Sequence, residues 1–272
     1  MNEKEFINNV NVTPQIDKSN IPTCEIMGVQ IAAINMKWLL KFLESHMKSN
    51  TLSGRYICVC NVHTTVMAYE DSIYREIQNN SVLSIPDGGP LASIGRRLGY
   101  KNMQRTTGPN LMEELFKQSV EKEYKHYFYG STEETLKKMQ QNLKQRYPGI
   151  QIVGMYSPPF RLLNANEEEE IVKKINQTDP DFIWVGLGAL KQERWMASNQ
   201  GRVNGLMIGV GAGFDYLAGN IKRAPSWMQK CNLEWCYRLI QEPRRLFKRY
   251  LVTNFKFIYY VMKQGNKKRT SF

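Results

Sequence analysis

The sequence predicts an α/β fold, a Rossmann-like, mostly parallel sheet flanked by helices, with a basic helical appendage at the C-terminus. Three observations carry this. Short apolar runs rich in β-branched residues alternate with stretches of helical period from residue 55 to about 210. Most of these runs end at Gly, Asn or Asp, as strands entering tight turns do. Charge is uneven: residues 222–272 hold 13 Lys/Arg against 2 Glu, while residues 1–221 hold 24 basic and 23 acidic side chains, so the formal +12 belongs to the tail.

In chain order, residues 1–22 are polar and aperiodic, and a flexible leader is expected. A catalytic core should span 23–221 and the appendage 222–272. Residues 25–34 read as a strand pair turning near Gly28, and 36–47 as a helix. Strands are expected at 56–60, 82–86, 126–129, 150–155, 182–185 and 206–210. One helix is expected over 64–79, and others over 90–98, 108–123 with Pro109 in its first turn, 131–146 and 167–176. Ser131-Thr-Glu-Glu134 has the form of a capping box, and the four glutamates from Glu167 suit a solvated first turn. The tail reads as two helices, 232–241 and 244–261, broken at Pro243.

Composition excludes several classes. With 272 residues and 42% hydrophobic content the chain can bury one full core. Its five cysteines are odd in number and lack paired C-x-x-C spacing, so neither a disulfide framework nor a zinc site is indicated. Glu3 and Glu5 with no apolar stretch behind them argue against a secretory signal, and no run reaches the ~18 apolar residues of a spanning helix. A cytoplasmic protein is expected.

The chemistry gathers at strand ends. Val82-Leu-Ser-Ile-Pro runs into Asp87-Gly88-Gly89, which places Asp87 at the carboxyl edge of the sheet, where ligands of open α/β sheets bind. Asp87 either caps the helix starting near Pro90 or faces a ligand. Asn61 ends the preceding strand, Gly186-Leu-Gly188 with Lys191-Gln192-Glu193 ends another, and Gly211-Ala-Gly213 the last. Gly88, Gly186, Gly188, Gly211 and Gly213 can bring backbone amides close to a phosphate. An NAD fingerprint fails, because Gly209-Val-Gly211-Ala-Gly213 lacks the sixth-position glycine and the later acidic residue. Asp179-Pro-Asp181 matches a metal-binding D-x-D but precedes its strand, so it is read as a turn at the opposite edge, and no metal site or cofactor is expected. His63 is read as a satisfied loop imidazole.

The tail supports two classes of function. Arg238, Arg244, Arg245 and Arg249, with Lys248 and Lys256, are interleaved with Leu246, Phe247, Tyr250, Leu251, Phe255 and Tyr259, which suits a helix lying in an anionic membrane interface. The same basic and aromatic composition would also serve a nucleic-acid-binding module. Asp87 and the glycine edge favour an enzyme without nucleic acid as a partner.

Taken in order, Asn61, Ile85-Pro-Asp-Gly88, Arg105-x-x-Gly108, Gly186-Leu-Gly188-x-x-Lys191-Gln-Glu193, Gly209-Val-Gly211-Ala-Gly213-Phe-Asp215, Arg223-Ala-Pro225, Leu233-Glu-Trp235 and Glu242-Pro-Arg244 resemble the WecG/TagA/CpsF glycosyltransferase family over about residues 26–255. The resemblance implies sugar transfer from a UDP-sugar to a polyprenyl-diphosphate-linked sugar, in cell-surface polysaccharide synthesis on the inner face of a bacterial membrane. It implies inversion, with Asp87 as general base. Asn61 and Gln192 are assigned to sugar hydroxyls, Arg105 to a phosphate, and Lys191 and Arg223 to the substrate site. The appendage is implied to close over the site and bring arginines to the diphosphate. Where the family commonly has Thr two residues before the Asn, this chain has Val59, which leaves the donor open among N-acetylmannosamine, its uronic acid and another hexose. A homo-oligomer is also left open.

Overall fold

Apolar runs with no polar alternation can be buried only on both faces at once, which a central parallel sheet provides. The structure, a computed structural model, describes residues 18–269. Its elements are β1 (Thr23–Ile26), β2 (Val29–Ala32), α1 (Met36–Lys48), β3 (Tyr56–Cys60), α2 (Val62–Glu70), α3 (Ser72–Asn80), β4 (Leu83–Pro86), α4 (Gly89–Arg97), α5 (Gly108–Lys122) and β5 (Lys125–Gly130). There follow α6 (Glu133–Arg146), β6 (Gln151–Tyr156), α7 (Ala165–Gln177), β7 (Phe182–Gly186), α8 (Lys191–Ser198), β8 (Leu206–Gly209), α9 (Gly213–Ala218), α10 (Ser226–Lys230), α11 (Glu234–Gln241) and α12 (Pro243–Arg269).

Six strands form one parallel sheet, as expected, and their order is β4-β3-β8-β7-β5-β6. Residues of α1, α5, α6 and α9 build the core on one face of it, around Trp184, Phe116 and Phe128. The β1-β2 hairpin and residues of α2, α3, α4, α7 and α8 build the other, around Tyr56, Tyr74 and Tyr129. The hairpin turns on Met27 and Gly28, both at positive φ, the geometry a two-residue hairpin turn requires.

Several local readings shift. The single helix expected over 64–79 is two, because Asp71 caps both: its N–H donates to the Met67 carbonyl and its carboxylate accepts from Tyr74 N at 3.0 Å. An aspartate competes with interior helical bonding and so favours such a junction. The cap of α6 is Thr132, whose hydroxyl accepts from Thr135 N, and Ser131 lies in the left-handed region at φ +60. A reciprocal capping box forms instead on α7, between Asn164 and Glu167. Residues 1–17 of the expected leader lie outside the described residues. Beyond them, Lys18 donates to the carbonyls of Asn79 and Ser81, and Ile21 is buried.

The tail contains the expected break at Pro243, with α10 added before it and a longer second helix after it. α12 lies along α2, where Phe257 is buried, Tyr260 packs on Tyr69 at 4.3 Å, and both Lys256 and Tyr260 reach Glu70. Among the described residues no helix is long and apolar enough to cross a membrane. The five cysteines are free, and Cys24, Cys58 and Cys60 are buried.

Candidate active site

β3 and β8 are neighbours in the sheet, yet the helices that follow them, α2 and α9, pack on opposite faces. Chain paths diverging in this way open a crevice at the strands' carboxyl ends. Asn61, Asp87, Gly188 and Gly211 all lie on that edge.

Asp87 leaves β4 with its N–H bonded to the Cys60 carbonyl at 2.8 Å and its own carbonyl accepting from Arg105 Nε at 2.7 Å. The N-cap of α4 is Gly88, with no side-chain cap, so the Asp87 carboxylate is not used as a helix cap. Burial pushes this carboxyl up to about 6. Arg105 pulls it down, Glu234 raises it, and Arg223 and Arg238 lower it. Of the two glycines beside it, Gly89 serves close approach, whereas Gly88 leaves room for an ordinary contact. A Cβ on Gly88 would lie 3.5 Å from Asn61 Cα, and one on Gly89 would meet Asn232 at 2.6 Å. Gly89 thus admits the tail, which settles directly onto the Asp87 turn.

Around Asp87 the cations come from three segments. Arg105, before α5, uses its remaining nitrogens on Glu234 at 2.5 Å and the Gln229 carbonyl at 3.5 Å. Arg223 donates to Asn110 at 2.7 Å and Gln229 at 3.0 Å, and lies 3.5 Å from Glu113. Arg238 pairs with Glu242 at 2.7 Å and covers the ring of Tyr216 at 5.5 Å. Arg223 Nε, Arg238 Nε and Arg249 Nε are buried with no hydrogen-bond partner, and so is His63 Nδ1. Such groups are rare in folded proteins, and several in one region point to a polar ligand. His63 is therefore not the satisfied loop imidazole expected. It lies in the first turn of α2, and burial, with Arg249 nearby, holds it below its usual range.

The other expected site residues divide. Asn61 caps α2, its carboxamide oxygen accepting from Thr64 N at 3.2 Å, which leaves its amide nitrogen for a ligand. Gly188 (φ +85) has open space where a Cβ would stand, and Gly211 (φ +51) nearly so. Gly186 and Gly213 are packing positions instead: a Cβ would strike Phe214 at 2.7 Å in the first and Met112 Sδ at 2.9 Å in the second. Gln192, expected to face a sugar, is buried and engaged at both ends, donating to Glu193 at 2.8 Å and accepting from Gly211 N at 3.0 Å. Glu193 in turn accepts from Leu190 N at 2.7 Å and holds that residue at φ +71. This relay ties the loop after β7 to the loop after β8. Lys191 is exposed at the start of α8. Of the four tail arginines expected at the diphosphate or the membrane, Arg238 and Arg249 turn inward, whereas Arg244 and Arg245 are exposed.

Sequence reasoning missed Glu234, Tyr216 and Glu193 as parts of the site. Glu234 and Glu242 are the only acidic residues of the tail, a signal that could have marked both as partners for arginine. Asp179 and Asp181 lie where expected, before β7 and bonded to Lys125 at the opposite edge. A separate open cavity of about 540 Å³ runs along the β6 edge. The crevice at Asp87 is roofed by Asn232 and Glu234.

Comparison with known proteins places the sequence in a family. Residues 24–271 match the glycosyl transferase WecG/TagA/CpsF family. The chain is 30% identical over 237 residues to an N-acetylglucosaminyldiphosphoundecaprenol N-acetyl-beta-D-mannosaminyltransferase of Bacillus subtilis (strain 168), covering 87% of this chain and 90% of that protein. It is 28% identical over 231 residues to a protein of the same name from Staphylococcus aureus (strain MW2), covering 85% and 89%. Matched by the family's model over residues 24–271, the chain belongs to the WecG/TagA/CpsF family of glycosyltransferases.

Proposed function

We propose that the protein transfers N-acetylmannosamine or a related hexose from a UDP-sugar to N-acetylglucosamine carried on a polyprenyl diphosphate, with inversion, at the inner face of the membrane. The names of the relatives support the acceptor and the sugar. The observation that carries the reading is the set of buried guanidinium nitrogens without partners, on Arg223, Arg238 and Arg249. Arg223 and Arg238 also act on the Asp87 carboxyl.

In this mechanism Asp87 takes the proton of the acceptor hydroxyl while that oxygen bonds to the anomeric carbon. The bond from that carbon to the UDP oxygen breaks, and its electrons go to the diphosphate. One displacement inverts the centre, so an α-linked donor yields the β linkage in the relatives' names. A carboxyl near 6 is ionised at neutral pH and still more basic than an ordinary aspartate, as a general base should be. Growing charge on the leaving diphosphate is met by Arg105, Arg223 and Arg238 and by the amides of the Gly188 and Gly211 loops. Asn61 holds a sugar hydroxyl, and Gln192 acts by fixing Gly211. These cations make a divalent metal unnecessary.

On the outer side of the tail, Ile240, Phe247, Leu251, Phe255, Ile258, Tyr259 and Met262 are exposed near Arg244, Arg245 and Lys248. That mixture suits a peripheral contact with anionic lipid. The test is a panel of UDP-sugars with a short-chain diphosphate-linked N-acetylglucosamine acceptor, with and without EDTA. Transfer from UDP-N-acetylmannosamine, unchanged by EDTA, is expected. No transfer from any UDP-sugar would overturn the reading, and loss restored by magnesium would overturn its metal independence.

A further inference from the structure

We propose that Glu234 holds, as an internal anion, the diphosphate subsite between Arg105 and Arg223, and that the phosphates of a donor enter by displacing it. The inference rests on the donor site described above and adds its regulation by the protein's own tail.

The geometry is that of an occupied anion site. One Glu234 oxygen lies 2.5 Å from Arg105 Nη2, and the other lies 3.9 Å from Arg223 Nε, a buried atom with no hydrogen-bond partner. The Glu234 side chain is 9% exposed, and those of both arginines 21%. A carboxylate so far removed from water is costly unless paired, and these two guanidiniums pair it. It is also held close to another carboxylate. Glu234 raises Asp87, while Arg105, Arg223 and Arg238 face the same carboxyl from the loop before α5, the loop after α9 and from α11. Asp87 and Glu234 thus share one cluster of cations, and of the two it is Glu234 that the tail carries.

The neighbouring pairs show the same pattern. Arg238 is answered by Glu242 and Arg223 by Glu113, so Arg105, Arg223 and Arg238 are each already partnered by a carboxylate. Of these, Glu234 belongs to the segment that settles on Gly89 through Asn232. A diphosphate carries more charge and more acceptor oxygens than one carboxylate and can engage both guanidiniums in bidentate fashion. It therefore outcompetes Glu234 for Arg105 and Arg223, and the start of α11 is released from the Asp87 turn as it binds. In this way the core's affinity for the donor is set against the tail's affinity for the core.

The experiment titrates the full chain and its Glu234→Gln variant with inorganic pyrophosphate and, separately, with UDP. Glutamine keeps the shape and leaves Arg105 and Arg223 without their anion, so both probes should bind roughly tenfold more tightly to the variant. Unchanged or weaker pyrophosphate binding would overturn the proposal, because Glu234 would then be supporting the arginines rather than competing for them. Tighter pyrophosphate with no UDP binding in either protein would keep the subsite and remove the uridine donor instead. Should the variant fold poorly, the unaltered protein decides: pyrophosphate should speed exchange of the Cys236 and Tyr237 amides, which bond to the Leu233 carbonyl at the start of α11, and slowed or unchanged exchange there counts against displacement.

Discussion

The carboxyl edge of the sheet and the tail that covers it handle charge in opposite ways. On the edge, the turn that carries the one carboxylate is held through its main-chain groups. Asp87 is bonded through both its N–H and its carbonyl, and the glycine loops opposite are fixed by the Glu193–Gln192–Gly211 relay. On the tail, cations are held by side-chain ion pairs, Arg238 and Arg245 to Glu242, with Glu234 reaching back to Arg105. Hydrogen bonds of the first kind persist whatever ligand arrives, whereas ion pairs can be exchanged for a better anion. The difference teaches where preorganisation lies: the base is built into the sheet, and the countercharge is brought to it.

Changes on the two sides should therefore fail differently, and Asp87→Asn should fail most. Loss of a general base typically costs about 100- to 10,000-fold in turnover, read in a transfer assay. The same change should stabilise the fold. The folded carboxyl titrates near 6 against an ordinary 3.8, so the folded state binds more protons between those values and stability falls as pH rises through them. Asparagine escapes this loss. Its melting curve should show a gain on the order of 1–3 kcal/mol above pH 6 and none below pH 4.

Within the tail, the inward and outward arginines should separate. Arg238→Ala is expected to lower turnover about 100-fold, as losing one donor to a developing anion does, even with a water-soluble acceptor. Arg244→Ala with Arg245→Ala should leave that turnover near wild type and weaken binding to anionic vesicles by about 1 kcal/mol per charge, less at high salt. Equal effects of the two changes in both assays would erase the distinction between the faces. The smallest effect is expected far from both regions. Glu123 ends α5 at φ +55 and is exposed, so Glu123→Gly should raise stability by about 0.5–1 kcal/mol without altering transfer.

Much of the core was legible because strands buried on both faces leave unbroken apolar runs, and because a parallel sheet fixes which end of each run carries ligands. Asp87 and Asn61 could be placed from that alone. The glycines were harder to read. Whether a glycine faces a ligand or a neighbour depends on what approaches it from elsewhere, and Phe214 at Gly186, Met112 at Gly213 and Asn232 at Gly89 leave no mark on local sequence. Gln192 was misjudged for the same reason: its bond to Gly211 N crosses between two loops. Glu234 was hidden by averaging, since a tail of net +11 reads as uniformly basic, while its two acids make the contacts that join it to the core or order its arginines.

The most direct test of Asp87 as a base tuned by burial is the pH dependence of kcat/KM for sugar transfer. An acid limb is expected with its midpoint near pH 6, where the Asp87 carboxyl titrates, and that limb should be lost from the residual activity of Asp87→Asn. A wild-type profile that stays flat down to pH 4.5, or an acid limb at pH 6 that persists in the asparagine variant, would contradict it.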